Sequence, residues 1–325
     1  MNRVKLAGET TTVDNAVVKI LTAASSLSWV SPAENDRLKL TQDATLPEIV
    51  FEVLAHDVGE YQWAWTIEWE AKASGLRERA RTGEVLKTFS ESGSFVSASN
   101  RWTVNLAGQV LGGKLTVTVG SGRNNVKRSI FIYGQNPTKE QVADYVATLE
   151  DVAGYESLLE QETKTKHFID FDNEPIVAFD RGYGIAQMTN PAPSYEQVWN
   201  WKANILGASS LYQAKVKEAI SSLGRDGRSY TEDQLRLEVF SRWNGGSYHA
   251  LDKDAKTLVR KPNILCDSSP SNMGWSMTNI KNKDKNASEL HERDKDTSSG
   301  GPSGRGEDHP WIYSGVCYAD HVSTQ

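Results

Sequence analysis

The chain has 325 residues, 38% of them hydrophobic and 24% charged, which is enough for about two domains with their own cores and is not the composition of a disordered protein. No window approaches the roughly 18 uncharged apolar residues of a membrane helix, since even Ala16 to Leu27 carries Lys19, so no membrane insertion is expected. The net charge of -6 is shared unevenly: residues 1–137 hold 15 basic and 14 acidic groups and the remainder 21 and 28, so neither part has the basic excess of a nucleic-acid binder.

Met1 to Asn15 does not read as a signal peptide, because its basic start is not followed by an apolar run, and synthesis in the cytoplasm without export by that route is expected. Cys266 and Cys317 rule out a disulfide scaffold and a four-thiolate zinc site; one bridge and two buried thiols both remain open. The six histidines, His56, His167, His249, His291, His309 and His321, show no metal-ligand spacing, and no cofactor is expected.

From Glu48 to Tyr133 the pattern is short β-type runs: 49–54, 62–69, 101–106, 114–119 and 129–133. Turn residues separate them, among them Gly59, Ser92-Gly93-Ser94, Gly112-Gly113 and Gly120-Ser121-Gly122, and that spacing predicts an immunoglobulin-like β sandwich over 1–137. Trp63, Trp65 and Trp69 fall on one face of one strand, either as a core face or as a sugar-binding platform.

After Pro137 the period becomes helical. Thr138 with Gln141, Ser194 with Gln197, and Thr231 with Gln234 have the spacing of capping boxes, each opening an amphipathic run. Residues 138–325 are therefore expected to form an α-rich domain. The tract 281–310, rich in Lys, Asp, Ser and Gly, reads as a long mobile loop.

On a helix from Tyr155 onward, Tyr155, Leu158 and Leu159 mark an apolar stripe that Glu162 continues, so burial is expected to raise its pKa and keep it protonated as a general acid. The competing reading pairs Glu162 with Lys166 at i+4 in a frayed last turn. Downstream come Asp180-Arg181-Gly182-Tyr183-Gly184-Ile185-Ala186-Gln187 and, ending a predicted helix, Arg242-Trp243-Asn244-Gly245-Gly246.

Taken in order, Glu162-Thr163, Gly184-Ile185-Ala186-Gln187 and Asn244-Gly245-Gly246 with Tyr248 resemble the lysozyme-like superfamily of goose-type lysozymes and lytic transglycosylases. Residues 182–204 look most like the lysozyme-like domains of bacterial antibacterial effectors and phage tail lysins. The resemblance implies a peptidoglycan-cleaving domain over 138–325. In it Glu162 protonates the oxygen between N-acetylmuramic acid and N-acetylglucosamine, Gln187 and Asn244 bind sugar and peptide groups, Tyr183 lines the cleft, Tyr318 approaches the acid, and Tyr248 is a weaker ligand-binding candidate. Thr163, Ala186 and Trp243 depart from the usual serine, methionine and tyrosine; Trp243 removes a hydroxyl and puts its hydrogen bond in doubt.

Asp180 is the best-placed second carboxylate for hydrolysis, with Asp170 and Asp172 behind it. A lytic transglycosylase needs only Glu162, first as acid and then as base. The resemblance also implies delivery to a target cell's periplasm or wall by a contractile injection or phage-type machine, with peptidoglycan strands as substrate and an immunity protein as a partner of an antibacterial toxin. A chitinase of the same fold and a non-catalytic glycan-binding or docking protein are the remaining readings, and the last has no need of a buried acid.

Overall fold

The computed structural model describes residues 10–13, 16–19, 27–55, 59–74, 81–122, 124–252, 254–269, 272–298 and 306–324, the first two segments by their backbone. Those two, β1 (Thr10–Val13) and β2 (Ala16–Lys19), form an antiparallel hairpin. The chain divides into two compact units: Met1–Pro137 with His167–Gly184 and Thr189–Trp201, and Thr138–Lys166 with Ile185–Met188 and Lys202–Gln325.

In the first unit a three-stranded sheet joins β3 (Leu27–Ser31), β5 (Val50–Ala55) and β8 (Arg101–Thr103). A five-stranded sheet runs in the order β4 (Arg37–Lys39), β10 (Asn124–Tyr133), β9 (Gly113–Ser121), β6 (Tyr61–Lys72) and β7 (Val85–Ser97). β4 pairs parallel with β10, and the other pairs are antiparallel. Alternation sends Val117, Val119, Ile130, Ile132 and Ile67 inward, where they share one core with Phe51, Val53 and Trp102 of the smaller sheet.

Trp63, Trp65 and Trp69 are 1%, 8% and 6% exposed, so their shared face is core and offers no sugar platform. Ser92-Gly93-Ser94, expected as a turn, lies inside β7. Gly93 is opposite Trp65 in the register, and a methyl group there would sit 2.7 Å from the Trp65 indole nitrogen. The glycine makes room for a tryptophan across the strand pair and does not turn the chain.

The unit's core also takes in Phe168, Val177 and Tyr183 from the first returning segment, and Tyr195, Val198 and Trp199 from α3 (Tyr195–Trp199) in the second. Residue 137 is therefore not a single boundary. The chain leaves there and comes back twice.

The second unit opens with α1 (Lys139–Val146) and α2 (Tyr155–Thr163). It continues from Lys202 along α4 (Trp201–Leu223) and then α5 (Glu232–Trp243). Capping boxes at Thr138, Ser194 and Thr231 start α1, α3 and α5 as the spacing predicted. Strands β11 (His249–Asp252) and β12 (Thr257–Arg260) form a hairpin, and β13 (Ile264–Cys266), β14 (Met273–Ser276) and β15 (Trp311–Tyr313) a three-stranded sheet. Two helices complete the unit, α6 (Ala287–Ser298) and α7 (Gly315–Val322).

The expectation of an immunoglobulin-like sandwich followed by an α-rich domain does not hold. The described chain is mixed, 29% helix and 32% strand, with seven helices and several sheets. The strands β11–β15 stand among the helices of the second unit, while α3 belongs to the core of the first.

The tract 281–310, expected as a mobile loop, contains α6; its residues 299–305 lie outside the described ones. Leu290 is the helix's one large apolar side chain and packs against Trp275 and Trp311. Polar anchors do the rest. Asp294, fully buried, accepts hydrogen bonds from Trp275 Nε1 (2.7 Å) and His309 Nδ1 (3.0 Å) and an ion pair from Arg293 (2.7 Å). The Arg293 charge and these hydrogen bonds outweigh burial and hold the carboxyl below its ordinary range. Cys266 of β13 and Cys317 of α7 form a disulfide, which settles the open choice between bridge and thiols.

Candidate active site

The site is built within the second unit, where α2 ends at Glu162-Thr163. Lys164 caps the helix in the left-handed conformation and Thr165 follows at φ 58°, so the helix ends before Lys166. Glu162 is half-buried and so less enclosed than the apolar stripe suggested. Its Oε1 accepts two hydrogen bonds, from the Tyr318 hydroxyl at 2.6 Å and from Trp243 Nε1 at 3.2 Å.

Each donor is positioned by packing. Trp243, the last residue of α5, lies against the rings of Tyr155 (6.4 Å) and Tyr212 (6.2 Å). Those two rings contact each other at 4.8 Å, and their hydroxyls donate to the carbonyls of Ile205 (3.3 Å) and Ala153 (2.8 Å). The doubt about position 243 is thereby resolved, since the indole N–H supplies the donor that a hydroxyl would have given.

Tyr318 sits one turn into α7, which starts at the N-cap Ser314. A methyl group on Gly246 would meet the Gly315 Cα at 2.9 Å, and Gly315 in turn lies against Ser241. Only glycine at both positions lets the turn after α5 touch the start of α7 this closely. Tyr318 is 3% exposed, and burial, followed by the Glu162 charge and the bond to it, pushes its phenol far above the ordinary range. It therefore stays protonated and acts as a donor at every physiological pH.

Thr163 shows why a hydroxyl follows the glutamate: its Oγ1 donates to the Ile185 carbonyl at 2.9 Å. From the other side the fully buried Asn204 of α4 accepts the Ala186 N–H at 3.0 Å. The Gly184-Ile185-Ala186-Gln187 turn is thus tied at residues 185 and 186, and Gln187 follows half-exposed at φ +50°, a backbone conformation that a non-glycine residue holds only when its surroundings fix it. Asn244 is the half-buried C-cap of α5, one residue after Trp243.

Other expected residues are placed differently. Tyr183 belongs to the first unit and is 3% exposed, its ring against Phe89 at 5.8 Å; burial pushes its phenol up, and it is core, not cleft lining. Tyr248 is 7% exposed with its hydroxyl on Asp320 at 2.6 Å, a packing role in place of ligand contact. Asp180 is an exposed loop residue of the first unit and accepts the N–H of Gly182 at 3.2 Å.

Sequence reasoning missed Asn204 as a positioning residue, although a polar side chain beside Ile205 on the apolar side of α4 was a signal. It also missed Glu238. That carboxylate, 1% exposed, holds the chain after the Asn244-Gly245-Gly246 turn by accepting the N–H groups of Tyr248 and His249, both at 3.0 Å, together with His249 Nδ1 at 3.1 Å and Arg242 at 2.8 Å. Burial opposes its charge, but the His249 bonds, Arg242 and the Tyr248 N–H prevail and hold its carboxyl below the ordinary range. No protein-family model matches the chain, and no curated protein matches its sequence.

Proposed function

We propose that the chain cleaves peptidoglycan glycan strands at the β-1,4 bond between N-acetylmuramic acid and N-acetylglucosamine, with Glu162 as the general acid. One observation carries the reading: Tyr318 and Trp243 converge on Glu162 Oε1 at the end of α2, beside a turn fixed by Thr163 and Asn204. Protonated Glu162 gives its proton to the bridging oxygen as the bond from that oxygen to C1 breaks. The two donors then stabilise the carboxylate left behind, and positive charge develops at C1.

Hydrolysis follows when a water attacks C1 and gives up its proton to a general base. A second reading is intramolecular transglycosylation, which needs Glu162 alone. There the C6 hydroxyl of the muramic residue attacks C1, and the Glu162 carboxylate takes that proton back. Action as an antibacterial effector or phage-type lysin, delivered to a target cell wall and restrained in its producer by an immunity protein, belongs to the same proposal.

The test is mass spectrometry of muropeptides released from purified peptidoglycan by the wild-type chain and by Glu162→Gln. We expect release by wild type and none by the variant, with reducing ends for a hydrolase and 1,6-anhydro ends for a transglycosylase. Intact strands after wild-type treatment, or equal release by the variant, would overturn the assignment.

A further inference from the structure

The outer face of the five-stranded sheet carries a feature that the catalytic reading does not use. β10 sends Ile130 and Ile132 into the core and so turns Phe131 and Tyr133 outward, half-exposed, with their rings 6.3 Å apart and 23° from parallel. On neighbouring β4 the register sets Arg37 opposite Phe131 and Lys39 opposite Tyr133, and the Arg37 guanidinium lies 5.6 Å from the Tyr133 ring centroid. The returning segment closes the other side with Phe171, Asp172, Asn173 and Glu174, leaving a cavity of about 370 Å³. That is within the range of roughly 300–1,000 Å³ typical of ligand sites.

The charges around the cavity are not balanced. Its two carboxylates are already engaged: Asp172 takes a two-pronged hydrogen bond from Arg81 (2.6 and 3.1 Å), and Glu174 accepts Trp69 Nε1 at 3.0 Å with Arg81 at 3.5 Å. Lys39 donates one hydrogen bond, to Asn173 Oδ1 at 3.2 Å. Among the described residues Arg37 has no carboxylate partner. The lining carries two cations and two carboxylates, and Arg81, which pairs with both carboxylates from outside the lining, brings a third cation, so the cluster as a whole holds one positive charge in excess. Beside it stands Phe171, 55% exposed, a ring that folding would ordinarily bury.

We infer that this pocket binds a carboxylate-bearing glycan, with Arg37 and Lys39 receiving the carboxylate and Phe171 and Tyr133 receiving the apolar face of a sugar ring. A guanidinium accepts a carboxylate through two parallel hydrogen bonds, and a single excess charge matches one such group. The choice of glycan rests on the cell-wall reading above.

The test is equilibrium binding of the full chain carrying Glu162→Gln to soluble peptidoglycan strands and to the same strands after carbodiimide-driven amidation of their carboxylates. Amidation is expected to weaken binding about tenfold, the scale of one charge-assisted contact. Arg37→Glu is expected to weaken binding to native strands about as much and to leave binding to amidated strands unchanged. Phe171→Ala is expected to weaken binding to both. Arg37 and Phe171 are exposed, so thermal midpoints should match the parent and confirm that each variant is folded. Equal affinity for native and amidated strands, or unchanged affinity in Arg37→Glu, would overturn the inference. Cleavage is read separately on the chain with Glu162 intact, so failure of the catalytic reading appears as uncut strands and failure of the pocket as an unchanged Kd.

Discussion

At the scale of single residues, the consequence of two donors on one oxygen is that neither is interchangeable with an apolar ring. A hydrogen bond to a charged group contributes about 1.5–3 kcal/mol, and 1.4 kcal/mol is about a factor of ten in rate. Tyr318→Phe and Trp243→Phe should therefore each lower kcat for strand cleavage by roughly ten- to a hundredfold. Because both act on Glu162 Oε1, the double variant should lose less than the product of the two. Steady-state kinetics on soluble strands measures this. Single variants with wild-type kcat would separate both residues from the chemistry. Tyr248→Phe is the contrast, since its hydroxyl serves Asp320 and its loss should appear in stability with kcat retained.

At the scale of elements, α7 is held at two adjacent positions: Cys317 is bridged to β13, and the next residue, Tyr318, reaches Glu162. The bridge closes a loop with a sequence separation of 51, for which the chain-entropy relation gives roughly 4 kcal/mol. Cys317→Ser, or reduction by an excess of a small dithiol, should lower the thermal midpoint and cleavage activity together. A fall in midpoint with full activity would show that α7 keeps its place without the bridge.

The turn after α5 depends in the same way on Glu238, and the sign of its pH dependence follows from its depressed folded-state pKa. The carboxylate adds stability above its unfolded value, about 4.5, and that stability is lost as pH falls through the lower folded value. Thermal midpoints recorded from neutral pH down to about 3 should fall more steeply for wild type than for Glu238→Gln, which starts lower because the amide cannot serve Arg242 and His249 in the same way. Parallel curves would mean that Glu238 does not govern the acid limb.

These elements also show what a sequence can display. The three capping boxes were legible because the signal is local, a side chain reaching a backbone group three residues away. Glu162, Gln187 and Asn244, singled out by their order in the chain, all lie in the second unit. By contrast, α6 was not legible: its anchoring comes from Asp294, Arg293 and Asn282 in hydrogen bonds to distant groups, and polar burial leaves no apolar period. Gly93 looked like a turn because the tryptophan it accommodates lies on another strand.

At the scale of the whole molecule, the division at residue 137, read from the change of period, conflicts with where the apolar residues are buried. Phe168, Val177, Tyr183, Tyr195, Val198 and Trp199 follow that point in sequence yet complete the first unit's core. Each large apolar side chain gains about 1.5–3 kcal/mol on burial, so a chain starting at residue 138 would forgo most of that and expose the six together. We expect residues 138–325 produced alone to bind a hydrophobic dye and to lack a cooperative thermal transition. The chain 1–325 should unfold cooperatively with low dye binding. Residues 1–137 alone should fail in the complementary way, since Trp69 and Phe89 would lose Trp199, Tyr183 and Tyr195 from their ring contacts. A stable, cleaving 138–325 fragment would show that the returning segments fold without the first unit. A dye-binding fragment with no transition would mean that the candidate site depends on a core completed across both halves of the sequence.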